Sequence, residues 1–325
     1  MSTSAAGAPL PPPASLAASS SRAAPPEDIA TAGRRLRPMH WLVTLLLLLV
    51  AAQIAWFLWT NPRFEWKVVA QYLFEPTILK GLGTTLLLAL AAMVGGSVAG
   101  GLLAAARMSE LLPARWAATT FVAVFRGIPP LVQLIFWFNL AYLVPRLSLG
   151  IPFGPSFGDW STNAVITPVT AAIVGLTLVE SAYMAEIIRA GVLSVDIGQR
   201  EASKAMGFTA GQNFFRIVLP QAMRVIIPPS GSQFISVVKG TALVSVIGMS
   251  DLLYSVQVIY NRTYQIIPML IVACLWYLLV VTLLSMGQSR LERRFSRGHS
   301  RHAPERRSRL FAATRRPPRK GKEQP

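Results

Sequence analysis

The patterned loop at about 194–220 contains the stretch Asp196-Ile197-Gly198-Gln199-Arg200-Glu201-Ala202-Ser203-Lys204-Ala205-Met206-Gly207-Phe208-Thr209-Ala210-Gly211-Gln212. The stretch begins with Asp196, followed three residues later by Gln199, a pattern typical of a helix N-cap and its reciprocal partner. Gly207 suits the left-handed conformation in which many helices end. The stretch therefore predicts a short helix that ends at a tight glycine turn.

A second short helix is predicted after this turn. Thr209 and Gln212 match a capping box, and Leu219-Pro220 indicates where the helix ends. Physics alone also allows an interfacial helix pair with no partner. Small side chains nevertheless leave an uncluttered surface whose charged feature is Glu201, and such a surface suits insertion into another protein's groove. The small residues are Ala202, Ser203, Ala205 and Gly207.

Long apolar segments flank this loop and indicate a membrane protein. The chain has 325 residues, of which 53% are hydrophobic and 14% charged, whereas soluble domains carry about 25% charged residues. About 20 apolar residues are needed to cross a bilayer. Six segments meet or approach that length: 41–59, 81–106, 116–144, 164–188, 225–249 and 266–289.

The individual segments carry further signals. The first is a retained span, because its apolar core is too long for a cleaved signal peptide and 59–62 offers no small-x-small cleavage site. In the second, Gly96 and Gly100 allow a neighbouring helix to approach closely. The third is interrupted by Arg126-Gly127-Ile128-Pro129-Pro130, which predicts a kink or a helix start.

The distribution of positive charge predicts the topology. With the N-terminus inside, the inner segments hold 24 Lys and Arg residues and the outer segments five, so both termini are expected to be cytoplasmic.

Of the net charge of +17, the tail 290–325 contributes +10. Segments 1–37 and 290–325 are expected to be disordered. The basic tail either contacts anionic lipid or is a solvated topology anchor. Outside, 61–80 is expected to be an interfacial segment and 145–163 a loop.

The patterned loop resembles a known family. Its order of motifs is similar to the EAA loop of permease subunits in binding-protein-dependent ABC importers: Glu201-Ala202-Ser203, Gly207, and Ile217-Val218-Leu219-Pro220. The 181–191, 126–133 and 221–229 segments resemble the histidine/glutamine-type, polar-amino-acid branch. The resemblance covers about 79–289. The departures are Ser203 in place of a second alanine, Gly240 after Lys239, the first span and both tails.

The resemblance implies an all-α integral membrane protein. Its core, 81–289, would be the five-helix permease domain of a type I, MetI-like importer, with 38–60 as an extra N-terminal transmembrane helix. It implies a bacterial inner-membrane location and alternating access driven by ATP. The implied partners are ABC ATPase subunits, a second permease subunit, identical or related, and an extracytoplasmic amino-acid-binding protein. The loop at about 194–220 would dock on the ATPase through Glu201, Ala202, Gly207, Leu219 and Pro220.

No motif for chemistry is found in the sequence. It has no phosphate-binding loop, no nucleophile elbow and no zinc-protease motif. Its one cysteine rules out an intramolecular disulfide and a clustered thiol metal site. We therefore expect no enzyme activity, no cofactor, no metal and no nucleic-acid partner. The energy for transport must therefore come from a partner protein.

Two charged residues inside predicted spans are candidates for substrate binding. Inserting a charged side chain at the bilayer centre costs at least about 2.5–3.5 kcal/mol of free energy, so Glu180 and Lys239 are candidates for a functional or structural role. They either line a polar cavity and contact the charged groups of an amino acid, or form a structural salt bridge with each other or a neighbour. Glu186 and Arg189, three residues apart, are expected to form a surface pair. An ion-coupled secondary amino-acid transporter or channel is the alternative function.

Overall fold

The computed structural model describes residues 38–150 and 156–296, and most of them are helical. The first helix, α1 (Pro38–Thr60), is continuous and belongs to a unit of its own. It contains the apolar stretch Trp41–Thr60, which is long enough to cross a membrane. The predicted disordered segment 1–37 and the part of the basic tail beyond Ser296 lie outside the described residues.

A second unit begins at Pro62 and contains all the other described elements. Its helices are α2 (Trp66–Tyr72), α3 (Pro76–Met108), α4 (Leu112–Gly127), α5 (Pro130–Phe138), α6 (Leu140–Leu143), α7 (Thr162–Val165), α8 (Pro168–Leu193), α9 (Ile197–Ala205), α10 (Ala210–Asn213), α11 (Leu219–Gly240), α12 (Leu252–Thr263) and α13 (Ile266–Ser296). An antiparallel hairpin of β1 (Arg146–Gly150) and β2 (Ser156–Ser161) lies between α6 and α7. A π-helical turn (Phe214–Val218) precedes α11, and 3₁₀ segments lie at Pro62–Phe64 and Thr241–Ile247.

The number of membrane-crossing segments agrees with the prediction. Within the described ranges, five helical segments are long and apolar enough to span: Trp41–Thr60, α3, α8, Ala210–Ile247 and α13. The pair α4–α5 makes a sixth if it counts as one broken span, bent by 103°. Pro129 and Pro130 predicted a kink or a helix start at this place, and α5 does begin at Pro130.

Helices α3 and α8 pack closely because glycines line their contact. A Cβ atom at Gly96 would lie 2.6 Å from Cγ of Glu180, and one at Gly100 would lie 2.7 Å from Cβ of Met184. Both distances are shorter than real carbon contacts. The predicted packing role of the two glycines is thus confirmed, and it brings α3 directly against the charged position on α8.

Four apolar cores hold the described part of the second unit together, and the smallest joins α4 to α8 through Val122, Ala182 and Ala185. One joins α3, α5, α8, α11 and the 3₁₀ segment through side chains such as Leu88, Leu134, Leu176, Val238 and Val244. Another joins α2, α3, α12 and α13 around Val69, Ile78, Leu252 and Met269. The third lies where α8 and α11 meet the patterned loop, with Val192, Val195, Val218, Ala222 and Ile226. This last core fixes the loop to the membrane helices.

Some elements differ from the predictions. Helix α12 was missed, because polar residues interrupt the apolar pattern between the last two spans; Asp251 caps it by accepting a 2.8 Å hydrogen bond from the Tyr254 amide. The expected loop at 145–163 contains the β1–β2 hairpin.

Two predicted segment boundaries also differ from those in the structure. The expected external segment 61–80 overlaps α3, which already begins at Pro76 because proline is well tolerated in a first helical turn. Helix α13 continues past 289 to Ser296, beyond the expected start of the tail. The Nε2 atom of Gln288 supports this last stretch by donating to Oε1 of Glu292, one turn further on, at 2.8 Å.

Candidate functional site

A cavity of about 310 Å³ with a mainly apolar lining lies between the α4–α5 break, α8, α11 and the following 3₁₀ segment. Its polar lining comes from Glu180 and Tyr183 on α8 and from Gln233 and Ser236 on α11. Pro130 lines it from the start of α5. The cavity thus combines one acidic group with neutral hydrogen-bonding groups inside an apolar bundle, as ligand sites commonly do.

Glu180 is the charged group of this cavity. Only 2% of the residue is exposed. Its Oε2 atom accepts a 3.0 Å hydrogen bond from Nε2 of Gln233, while Oε1 has no hydrogen-bond partner among the described residues. A buried carboxylate oxygen without a partner is costly. One oxygen of Glu180 is therefore held by the protein, and the other is buried without a partner among the described residues.

Lys239 lies elsewhere. Lys239 is exposed and is not among the residues that line the cavity. It forms no ion pair with Glu180. The alternative of a mutual salt bridge between the two residues is therefore wrong. Lys239 comes two residues before the 3₁₀ segment, near the end of α11, and so leaves the cavity without a lysine.

The break between α4 and α5 is stabilised by a buried glutamine. Pro129 has no amide hydrogen to give to the carbonyl of Phe125 four residues earlier. Instead, Nε2 of Gln133 donates to the carbonyl oxygens of Phe125 at 3.0 Å and of Ile128 at 2.8 Å. This role of Gln133 is not among the predictions from the sequence, although Pro129 stands four residues after Phe125 and therefore leaves the Phe125 carbonyl without its usual helical donor. The glutamine keeps a sharp bend ordered beside the cavity.

Glu186 lies in a charge cluster that joins three helices. Its carboxylate contacts Nη1 of Arg107 on α3 at 2.6 Å, Nη2 of Arg189 on α8 at 3.0 Å and Nη1 of Arg126 on α4 at 3.5 Å. The expected surface pair with Arg189 is therefore incomplete, because the sequence shows only neighbours on one helix. Cζ of Arg126 also lies 5.3 Å from the ring centroid of Tyr183, a cation–π distance.

The patterned loop forms its first helix as predicted. In α9, Oδ1 of Asp196 accepts from the Gln199 amide at 3.3 Å. The Gln199 side chain is not the reciprocal partner that was expected, because its Oε1 accepts a 2.6 Å hydrogen bond from Nε2 of Gln221 on α11. At the other end Gly207 has φ +84°, the left-handed conformation. The Phe208 amide donates back to Ser203 O at 3.1 Å, which completes a Schellman motif.

The second half of the loop differs from the prediction at its end. The capping box of Thr209 and Gln212 is present in both directions, with hydrogen bonds of 3.3 and 3.0 Å. The helix does not stop at Leu219-Pro220: α10 passes through the π-helical turn into α11, which begins at Leu219. Pro220 is accepted there because the first turn of a helix needs no amide donor. The loop is therefore continuous with the helix that carries Gln233.

Polar contacts hold the two loop helices against each other. Nδ2 of Asn213 donates to Oγ of Ser203 at 2.5 Å and to Arg200 O at 3.0 Å. Ser203 and Asn213 are both buried. The serine that departs from the usual alanine thus joins α9 to α10. Arg200 fixes the pair to α8 by donating from Nη2 to Val192 O.

The outer face of the loop is open. Glu201 and Ala202 are exposed, and Glu201 forms no ion pair within the described part of the chain. Three large apolar side chains beside them are about two-thirds exposed: Ile197, Met206 and Phe215. Exposed apolar groups around a charge are typical of an interaction surface.

Comparison with known proteins decides the family. Residues 96–297 match the family model described as the binding-protein-dependent transport system inner membrane component. The chain belongs to this family. The permease is 38% identical over 259 residues to the arginine transport system permease protein ArgU of Corynebacterium glutamicum, with 78% of this chain and 80% of that protein covered. It is 36% identical to the L-cystine transport system permease protein TcyB of Bacillus subtilis, with 71% and 92% covered.

Solved structures agree with this assignment. The crystal structure of an amino acid ABC transporter with histidines matches the permease with a TM-score of 0.58 at 33% identity, covering 69% of this chain and 97% of that one. The inward-facing MetNI methionine ABC transporter matches with a TM-score of 0.52 at 23% identity, covering 67% and 95%. The predicted all-α, MetI-like permease fold is confirmed, and the permease is a multi-pass inner-membrane transport component rather than an enzyme.

Within the described ranges, no group of three or more His, Cys, Asp or Glu side chains could hold a metal ion. The comparisons favour the ATP-driven importer over the alternative of an ion-coupled secondary transporter, since the matched structure is an amino acid ABC transporter.

Proposed function

We propose that this permease is the membrane subunit of an ATP-driven importer for polar amino acids, and that its cavity binds the cargo. Glu180 is the observation that carries the proposal. Glu180 lines a cavity inside the bundle, and its Oε1 atom is buried without a hydrogen-bond partner among the described residues. Every amino acid carries an ammonium group that such an oxygen can accept. The names of the relatives, which include arginine and L-cystine permeases, support this class of cargo.

The loop at 194–220 is proposed to couple ATP hydrolysis to transport. An ATPase would contact the exposed face that contains Glu201 and Ala202, and Gly207 would set the angle between α9 and α10. Leu219 and Pro220 begin α11, so a push on the loop is passed to the helix that donates Gln233 to Glu180. This continuity supports a lever that changes the cavity when the loop moves.

Alternating access follows from this arrangement. Two ATPase subunits that close on ATP would draw the loops of two permease subunits together and turn the cavity from one side of the membrane to the other. A second permease subunit, identical to this chain or related to it, is part of the proposal. An extracytoplasmic binding protein would deliver the amino acid. Both termini are proposed to be cytoplasmic, because positive residues are concentrated on that side.

Uptake by the reconstituted importer tests this function. The permease would be placed in proteoliposomes with its ATPase and binding protein, and offered L-arginine, L-histidine, L-glutamine, L-glutamate and L-cystine. ATP-dependent uptake of at least one is expected, with a loss of about tenfold or more for Glu180→Gln, which removes one charge-assisted hydrogen bond. Uptake that needs no ATP, or that Glu180→Gln leaves unchanged, would overturn the proposal.

A further inference from the structure

Three arginines surround one carboxylate beside the cavity, and one of them is weakly held. Both Nε and Nη2 of Arg189 donate to Oε2 of Glu186, at 3.1 and 3.0 Å. Arg107 donates to Oε1 at 2.6 Å. Arg126 approaches Oε1 only to 3.5 Å, with one nitrogen, and its side chain is 43% exposed. Since Glu186 is already satisfied by the other two, the guanidinium of Arg126 keeps donors for another acceptor.

Arg126 is also the member of this cluster that contacts Tyr183, a residue that lines the cavity. Its Cζ atom lies 5.3 Å from the ring centroid of Tyr183, and Tyr183 lines the cavity with Glu180. Glu180 and Tyr183 are three residues apart on α8, so their side chains are neighbours on one face, with Cβ atoms about 5–6 Å apart. The break that follows Arg126 leads directly to Pro130, another lining residue.

We propose that Arg126 binds the carboxylate of the cargo, so that Glu180 and Arg126 recognise the two ends of an amino-acid zwitterion across Tyr183. The ammonium group contacts Oε1 of Glu180, and the guanidinium of Arg126 donates to the α-carboxylate. A planar guanidinium is suited to a carboxylate because it can form two parallel hydrogen bonds. This proposal rests on the proposed function, because it takes the cavity as the cargo site.

The charges of the site favour this assignment. A zwitterion is neutral, and each of its two charges finds an opposite charge when Glu180 and Arg126 are the partners. Neither Arg126 nor Lys239, the cation expected from the sequence, is among the residues that line the cavity, but Arg126 contacts the lining residue Tyr183. Arg126 therefore replaces Lys239 as the partner of the carboxylate.

Direct binding tests the role of Arg126. The complex of the permease with its ATPase is titrated calorimetrically with the five amino acids named above and with the α-carboxamide of each one that binds (the diamide of L-cystine). Arg126→Gln is expected to weaken binding of the amino acid at least about tenfold, the loss of one charge-assisted hydrogen bond, and to change binding of the carboxamide less than about twofold. Arg126→Lys is expected to restore part of the preference for the carboxylate.

Matched variants separate this role from a structural one. Arg189→Gln removes another arginine of the same cluster and is expected to keep the wild-type ratio between amino acid and carboxamide. An equal loss for both ligands in Arg126→Gln, or the same ratio in Arg189→Gln as in Arg126→Gln, would overturn the proposal. The proposal would also be overturned if Lys239→Gln, rather than Arg126→Gln, abolished the preference for the amino acid over its carboxamide. If no amino acid binds the wild-type complex, the proposed function itself fails, and this proposal fails with it.

Discussion

Nε2 of Gln233 on α11 donates a 3.0 Å hydrogen bond to Oε2 of Glu180 on α8. The bond thus joins two helices that line the cavity. It fixes one carboxylate oxygen, while the other is buried without a partner among the described residues. Because α11 is continuous with the patterned loop, the bond also connects the cavity to the face where an ATPase is proposed to dock.

Gln233→Leu is expected to reduce uptake strongly. The substitution removes the donor and leaves both oxygens of Glu180 without a partner among the described residues, which costs about 1–3 kcal/mol for a buried polar group and more for a charged one. Initial uptake rates in proteoliposomes measure the effect, which should be about tenfold or more.

Gln288→Leu is the matched control for this experiment. Gln288 joins α13 to α11 through a 2.5 Å hydrogen bond to Oγ of Ser232 and does not line the cavity. Uptake should change less than about threefold. If both substitutions reduced uptake equally, the bond to Glu180 would have no special part in transport.

Gly96→Ala is expected to destabilise the bundle. The new methyl group would lie 2.6 Å from Cγ of Glu180, so α3 and α8 would have to move apart. Overpacking of this kind costs about 1–3 kcal/mol. Gly101→Ala is the control, because its nearest neighbour would be Cδ1 of Ile188 at 3.9 Å. Thermal unfolding of the purified complex should show a lower Tm for Gly96→Ala alone, and equal Tm values would contradict the tight packing.

The apolar spans, the glycine packing and the two loop caps could be predicted from the sequence because each depends on local periodicity or on residues three or four apart. Partners distant in sequence could not be predicted. Gln233 lies 53 residues from Glu180, and Arg107 lies 79 residues from Glu186. Only the packing of α3, α8 and α11 brings them together.

The end of the loop shows a second limit. Leu219-Pro220 is an ambiguous signal, since a proline can follow a helix or stand in the first turn of one. The third core, which includes Val218 and Ala222, decides between these outcomes by holding the residues on both sides of Pro220 against α8. Lys239 is exposed and does not line the cavity, which its central position in the sequence of the span did not reveal.

Asn213→Leu is expected to separate the two loop helices without unfolding the membrane bundle. It removes the hydrogen bonds to Oγ of Ser203 and to Arg200 O. ATP hydrolysis stimulated by the loaded binding protein should fall about fivefold or more, because each lost hydrogen bond weakens the docked geometry by about 0.5–1.5 kcal/mol. Ser203→Ala keeps the hydrogen bond from Asn213 to Arg200 O, so the stimulated ATP hydrolysis should fall less in this variant. Equal stimulation in Asn213→Leu and wild type would contradict this role of Asn213.

The central claim is that the 194–220 loop couples an ATPase to the permease, and Gly207→Val together with Glu201→Lys tests it most directly. At φ +84° a β-branched residue is strained, although a Cβ atom there would meet nothing within 4 Å, so the strain falls on the turn alone. Gly211→Val is the control, because Gly211 has equally open space and no left-handed φ.

The measurement is substrate-stimulated ATP hydrolysis by the purified complex, with co-purification of the ATPase and the amount of inserted permease determined for each variant. The account expects normal insertion in all variants, loss of most of the stimulation in Gly207→Val and Glu201→Lys, and a smaller effect in Gly211→Val. Full stimulation by both Gly207→Val and Glu201→Lys, at normal protein levels, would contradict the claim that this loop transmits ATP hydrolysis to transport.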